Sequence, residues 1–377
     1  MLFKDIVGNE FAKKQLLYAV DNNRLAHAVL FLGEEGDAKL QLALALATYL
    51  NCEHKHDGDA CGECKSCKQM ATLSHPEMYF VYPTTSSLGN SSEDLLPKWR
   101  DFVVGNDGLG SLSDWYEAIG VTSGQGTINA ADCNNIISRL SYTSYESKYK
   151  IVIMWMVEKL FYSAAPKLLK VLEEPPEDTV FMLLTENKSA ILDTIISRTQ
   201  SIKIPKFTNK DVVDIITKKF HAPEDEAAKI AEICEGNASL ARRIYMSPES
   251  NNAIFDKFID WMQVCYRISH GNKCEGIVRF AEDMAKMNRE RAIFFLKSTL
   301  SLLRQALYVN ITGNFIVPMS DQQQQRLKKF AIFVTHNNIG IFYDKINDAI
   351  RGISRNGAMA IIFANLTLSM SVALDKK

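Results

Sequence analysis

Apolar residues in this chain follow two patterns, and the change from one to the other divides it. In the first half, short and nearly continuous apolar runs alternate with stretches of helical spacing. Ala28 to Leu32, Met78 to Tyr82, Lys150 to Met156 (KIVIMWM) and Val180 to Leu184 predict strands, and Gln200 to Ile204 predicts an edge strand. Between them, Phe11 to Asn22 (with Leu16, Leu17 and Val20), Leu40 to Leu50, Ile128 to Leu140 and Ala164 to Leu172 predict helices, and Ile191 to Arg198 a helical turn. Such alternation builds a parallel sheet covered by helices. Beyond about residue 206 only helical spacing remains. Its stripes are Ile254, Phe258, Met262 and Cys265; Ile293, Leu296 and Leu300; Phe330, Phe333 and Val334; and Ile341, Tyr343, Ile346 and Ile350. Each reads first as a core-facing stripe.

Two stretches depart from this rhythm. Residues 83–125 are rich in Ser and Gly (TTSSLGNSS, GNDGLGSLS), which predicts a long surface insertion. Trp99, Phe102, Trp115 and Tyr116 within it predict that it folds back onto something. Ala358 to Leu374 comes nearest to a membrane span, but Asn365, Thr367, Ser369 and Ser371 interrupt it. Ile361, Ile362, Leu366 and Met370 recur there at helical spacing, so a packed helix is expected and no membrane partner. The opening MLFKDIVGNE lacks a signal-peptide pattern, and a cytoplasmic protein is expected.

At 377 residues the chain should hold two or three domains. Its 43 basic and 44 acidic residues give a net charge of −1, which argues against a surface coated in basic charge for nucleic acid but leaves room for a local patch.

The loop after the first predicted strand carries the first chemical signal. Gly33 to Leu40 reads GEEGDAKL, the frame of a phosphate-binding loop GxxxxGK[ST] with its working residues replaced. Gly33, Gly36 and Lys39 remain. The glycine before the lysine has become Ala38, and the hydroxyl that would hold Mg²⁺ has become Leu40. Lys39 could still bind a phosphate weakly, although a vestige is the simpler reading. In a working site the strand KIVIMWM would end in a metal-binding Asp and often a Glu; here those positions are Trp155 and Met156, which can neither bind metal nor polarise water. The chain is therefore not expected to bind ATP itself.

Eight cysteines could suggest secretion, but four of them crowd into one segment with metal spacing and four are scattered in helical contexts, which fits a reducing compartment. Cys52, Cys61, Cys64 and Cys67 read C-x8-C-x2-C-x2-C. Four thiolates fill a tetrahedral Zn²⁺ and leave no open position, so a structural zinc is expected over 52–67. An iron–sulfur cluster also takes four cysteines, and His54, His56 or His75 could replace one of them.

Three segments, in order, carry a family resemblance: RLAHAVLFLGEEG, LLKVLEEPPEDTVFMLLTEN and ILDTIISRTQ. With the cysteine insert after the loop helix, they resemble the AAA+ clamp-loader subunits of bacterial DNA polymerase III, over about residues 5–82 and 125–245. A degenerate loop beside a retained SRx motif is similar to the family's delta-prime class; the gamma/tau class would keep its nucleotide residues. The resemblance implies an α/β AAA+ core over 1–205, a helical lid over 206–247 and a helical collar over 248–377.

It also implies a non-catalytic subunit that assembles with delta and gamma/tau in a complex that loads the sliding clamp onto primer-template DNA. Arg198, preceded by Ser197, would be an arginine finger acting in trans on a neighbouring ATP site, where a planar guanidinium suits a γ-phosphate. Thr199 stands where that motif has Cys. Read without the family, Arg198 is a surface residue in an ion pair at a helix end. Glu173 and Glu174 precede Pro175-Pro176, and their expected role is helix termination and packing. Thr185 and Asn187 sit where α/β sheets place functional groups. Ser239 falls near the position of a sensor Arg, and Lys13, Lys14 and Arg24 could touch DNA. The alternatives are an active ATPase of the gamma/tau type and a zinc-containing DNA-binding protein on an AAA+ scaffold.

Overall fold

The computed structural model describes residues 1–121, 126–246, 248–270, 275–287, 289–315 and 319–375. The chain forms two compact units. The first comprises Met1–Ile119, Gly126–Lys219 and Glu235–Leu240; the second includes Phe220–Cys234 and the chain from Ala241 onward.

The first unit is built on a sheet of five strands among the described residues: β1 (Ala28–Leu32), β2 (Met78–Val81), β3 (Lys150–Trp155), β4 (Thr179–Thr185) and β5 (Gln200–Lys203). Their spatial order is β2-β3-β4-β1-β5, and every pair is parallel. β3 and β4 are buried along their whole length, as uninterrupted apolar runs require in a sheet covered on both faces. At the edge β5 buries only Ile202. The helices are α1 (Glu10–Asp21), α2 (Lys39–Leu50), α3 (Lys65–Ala71), α4 (Leu96–Gly105), α5 (Leu112–Ile119), α6 (Ala130–Leu140), α7 (Ala165–Glu173), α8 (Asp193–Ile196) and α9 (Asn209–Phe220). Every residue of α2 is buried, the state expected of a helix apolar on all sides. The register Leu32↔Thr185 brings the loop after β1 to the C-terminal end of β4, where Gly33 N–H donates to the Thr185 carbonyl at 3.2 Å.

The strands expected from the apolar runs are present to within two residues at their ends, and the insertion folds back as its aromatic residues predict, but as helices and not as a surface loop. Its start is exposed around Ser86, Ser87 and Asn90, and later residues such as Lys98, Asp101, Val104 and Glu117 face solvent on one side of its helices. Those helices are α4 and α5, and Trp99, Trp115 and Tyr116 are fully buried. The driving force is aromatic. Trp99 stacks on Tyr82 with ring centroids 4.2 Å apart, meets Trp115 edge-on at 5.3 Å and lies 5.2 Å from Trp155. Asp132 at the start of α6 ties the segment down, accepting hydrogen bonds from Ser92 N–H (2.6 Å) and Oγ (2.9 Å) and from Asn129 N–H (2.8 Å). Polar loop composition thus concealed an aromatic core. Residues 122–125 of the insertion lie outside the described residues.

The second unit is helical: α10 (Glu224–Cys234), most of α11 (Ala238–Met246), α12 (Pro248–Ser269), α13 (Glu275–Ala285), α14 (Arg289–Thr312), α15 (Asp321–Ala331), α16 (Ile339–Ser354) and α17 (Met359–Asp375). Its core includes Phe258, Trp261, Phe295, Phe342 and Phe363. The helix expected over 358–374 is α17, and its polar residues are satisfied inside that core. Thr367 Oγ1 donates to the Phe363 carbonyl at 2.7 Å and accepts from Trp261 Nε1 at 2.9 Å. Among the described residues no helix is long and apolar enough to cross a membrane. Ser247, the last residue expected in a lid, and Cys274, one of the scattered cysteines, lie outside the described residues.

Candidate functional site: a sealed loop, an exposed arginine and a four-cysteine knuckle

Gly33, Gly36 and Lys39 come together at the C-terminal edge of the sheet, in the crevice where open α/β sheets place ligands. Lys39 is buried, and its ammonium is consumed within the protein. Nζ donates to the Glu34 carbonyl at 2.5 Å and to Asp37 Oδ1 at 3.1 Å, and it pairs with Glu186 Oε1 at 3.3 Å. Burial works against the charge on Lys39, but Glu186 and then Asp37 more than offset it and raise the ammonium to about 12. Burial also pushes the Asp37 carboxyl up, against the pull of Lys39. One ammonium here faces two carboxyl groups, those of Asp37 and Glu186. Asp37 Oδ1 additionally accepts the Lys39 backbone N–H at 2.9 Å.

The surroundings of the loop are equally occupied. Trp155 and Met156 end β3 as buried side chains, with Met156 turning the chain at φ 59°. Ser239 Oγ donates to Asp114 Oδ2 of the insertion at 3.1 Å, and Gln41 Nε2 donates to the Asp107 carbonyl at 2.8 Å. Thr185 is buried and accepts the Asn187 N–H at 3.1 Å, while Asn187 Oδ1 accepts the Ser189 hydroxyl at 2.7 Å. Lys13 is also committed: its Nζ donates to the Ile6 carbonyl at 2.6 Å and to Glu10 at 2.7 Å.

Arg198 lies just after α8, next to Ser197, and its side chain is 34% exposed. Nη1 donates to the Thr194 carbonyl at 2.9 Å, and Nη2 pairs with Glu173, itself 50% exposed. Glu173 is the last residue of α7 and Glu174 its C-cap, so the pair of glutamates does terminate a helix. Arg198 thus forms the ion pair at a helix end expected of it without the family, and Glu173 is the partner that the sequence did not name.

The four cysteines converge as their spacing predicts. Their sulfurs all lie within 4.8 Å of one another, and those of Cys61 and Cys67 are 3.8 Å apart. A tetrahedral zinc with Zn–S of about 2.3 Å has S···S edges of about 3.8 Å, so the knuckle fits that ion. Backbone N–H groups are aimed at the sulfurs: Cys61 N–H at Cys52 Sγ (3.2 Å), Cys64 N–H at Cys61 Sγ (3.3 Å) and Cys67 N–H at Cys64 Sγ (3.4 Å). The N–H groups of Cys64 and Glu63 draw the Cys61 thiol down to about 6, towards the thiolate a metal takes, whereas burial pushes Cys52 and Cys67 up. His75 stands apart, buried, with Nδ1 accepting the Glu77 N–H at 3.1 Å and Nε2 2.9 Å from Ser147 Oγ. Asp59 anchors the knuckle to the N-terminus by accepting from the N–H groups of Phe3 (3.1 Å) and Lys4 (2.9 Å).

Sequence reading missed the acids that seal the loop, Asp37 and Glu186. The signal for Asp37 was present, since GEEGDAKL sets three carboxylates in a loop whose working form must hold a polyphosphate. Glu186 follows Thr185 directly and reaches Lys39 only through strand pairing.

A parallel sheet in this order, with a glycine loop feeding a buried helix, defines a P-loop-type AAA+ core, here followed by helices. The chain belongs to the family described as DNA polymerase III, delta subunit, whose model matches residues 8–208; this is a family of clamp-loader subunits. It is 30% identical to DNA polymerase III subunit delta' of Bacillus subtilis over 210 residues, 55% of this chain and 51% of that one. It is also 30% identical to DNA polymerase III subunit tau of the same organism over 222 residues, 59% of this chain and 32% of that one. With subunit delta' of Yersinia pestis the identity is 26% over 185 residues, 49% of this chain and 43% of that one. The chain thus spans about half or less of the length of these relatives. A DNA polymerase III gamma-subunit-related protein from Thermotoga maritima aligns over 97% of this chain and 99% of its own, at 14% identity and a TM-score of 0.41, too distant to carry any inference.

Proposed function

We propose that the chain is a non-catalytic clamp-loader subunit of the delta-prime kind. It would assemble with delta and gamma/tau subunits in the cytoplasm, help load the sliding clamp onto primer-template DNA and supply Arg198 to a neighbour's ATP site. In this reading residues 1–205 are the core, 206–247 the lid and 248–377 the collar, and zinc on the four cysteines is structural.

The observation that supports it is an asymmetry of burial. Every position from which this chain would work on its own nucleotide is apolar or sealed: Ala38, Leu40, Trp155 and Met156 are buried, and Lys39 sits between two carboxylates. Arg198, which would serve another chain's nucleotide, is partly exposed and held by an exposed Glu173. An exposed ion pair is worth about 0.2–1 kcal/mol, so Arg198 can leave Glu173 for a phosphate at little cost.

The test is Arg198→Ala in the reconstituted complex. A trans arginine is worth about 10³–10⁵ in turnover, so ATPase activity should collapse while the complex elutes at unchanged size. Unchanged ATPase activity would end the arginine-finger reading. The similarity to a tau subunit favours one second reading, an active ATPase of the gamma/tau type. Absence of Mg-ATP binding by the isolated full chain at millimolar nucleotide would eliminate it.

A further inference from the structure

We propose that Asp37 is the permanent anion of this loop: its carboxylate fills the cradle in which a phosphate-binding loop holds its polyphosphate, and keeps the loop in an anion-bound form without nucleotide. The inference rests on the reading of an inert loop given above and supplies its cause.

Four observations place the carboxylate in the cradle. A side-chain carbon added to Gly33 would lie 1.6 Å from Asp37 Oδ2 and 2.7 Å from its Cγ, so the carboxylate rests directly on the glycine that opens the loop. Oδ1 takes two of the donors that a working loop offers to phosphate, the N–H at the start of α2 and the lysine ammonium. Oδ2 is buried and has no hydrogen-bond partner among the described residues, while the side chain as a whole is fully buried. The far side of the loop is closed as well: a carbon on Gly36 would lie 1.9 Å from Asn237 Oδ1, and Ala238 N–H donates to the Gly36 carbonyl at 3.0 Å.

Charge points the same way. With Glu186 the cluster carries two carboxylates against one ammonium, an excess of negative charge facing any incoming phosphate. A polyphosphate would have to expel Asp37 to reach Lys39. Removing that carboxylate should therefore restore a polyphosphate site that the remaining backbone and Lys39 still shape.

The experiment titrates inorganic tripolyphosphate and Mg-ATP into the full chain by calorimetry, at constant ionic strength, for the parent, Asp37→Ala, Asp37→Asn and Asp37→Ala with Lys39→Ala. The parent should bind neither ligand. Asp37→Ala should bind tripolyphosphate at least tenfold more tightly than the parent, and the added Lys39→Ala should abolish the gain. Asp37→Asn keeps the shape without the charge and decides the matter if Asp37→Ala does not fold; it should show the same gain to a smaller degree. A parent that binds no nucleotide, together with folded Asp37 variants that gain no tripolyphosphate affinity, would overturn this proposal and leave the inert-loop reading standing. A parent that binds Mg-ATP would overturn both.

Discussion

Replacing Trp99 tests whether the insertion is part of the first unit's core. Trp99 is fully buried, stacked on Tyr82, edge-on to Trp115 and close to Trp155 at the end of β3. Large-to-small changes of this kind cost about 3–5 kcal/mol, and each lost aromatic pair adds about 0.5–1.5 kcal/mol beyond area. Trp99→Ala should therefore fall near 5 kcal/mol, comparable to about a third or more of a typical domain's stability. Trp99→Phe should behave very differently. The indole N–H is buried with no partner among the described residues, and leaving a buried donor unmet costs about 1–3 kcal/mol. Removing that donor offsets most of the lost contact, and the net change should stay within about 1.5 kcal/mol. Urea unfolding reads the difference, with hydrogen exchange of β2 and β3 peptides confining the readout to the first unit. At a slope of about 2 kcal/mol per M, Trp99→Ala should lower the midpoint by about 2.5 M. A shift below about 0.5 M for Trp99→Ala, or equal shifts for the two variants, would refute the argument.

The knuckle should hold one equivalent of zinc, and Cys67→Ala should release it and speed hydrogen exchange over 52–71 while β1, β3 and β4 stay protected; a fully metal-free protein with the same exchange pattern would exclude a structural metal. His75 supplies a pH dependence. Burial lowers its pKa from the ordinary 6.5, so its contribution to stability is present above that value and is lost as the pH falls through the lowered one. Unfolding midpoints should be flat above about pH 7 and drop under about pH 6.5, and His75→Gln should remove part of that drop; an unchanged pH profile in His75→Gln would assign the acid lability elsewhere.

How much of this was legible in the sequence depended on whether a feature is local. Strand runs such as KIVIMWM and AVLFL became β3 and β1 because burial on both faces leaves no other pattern open to them. Cys61, Cys64 and Cys67 converged because their x2 spacings fix local geometry, and the eight-residue loop returns the chain to Cys52. The helices α4 and α5 were hidden because Ser and Gly dominate their surroundings, and only the four aromatic residues hinted at what they bury. Glu186 could not be found at all, since it reaches Lys39 across the β1–β4 pairing from 147 positions away in the chain, a register that no local pattern encodes.

The fate of the loop follows from what holds it. The loop joins β1 to α2, and α2 is buried at every residue, so the turn cannot be remodelled without disturbing the core around it. A phosphate-binding loop points backbone N–H groups at a common centre, and buried donors left unmet there are costly. If the chain binds no nucleotide, as proposed above, something inside it must accept those bonds, and Asp37 accepts from the Lys39 N–H and ammonium alike. Arg198 faces no such demand. It lies outside the core, and an exposed partner worth about 1 kcal/mol or less positions it without committing it. Under the proposed function, burial accounts for both halves of the asymmetry: a nucleotide site out of use in the core would have to be filled, whereas a residue kept for another chain's phosphate would have to remain loosely held.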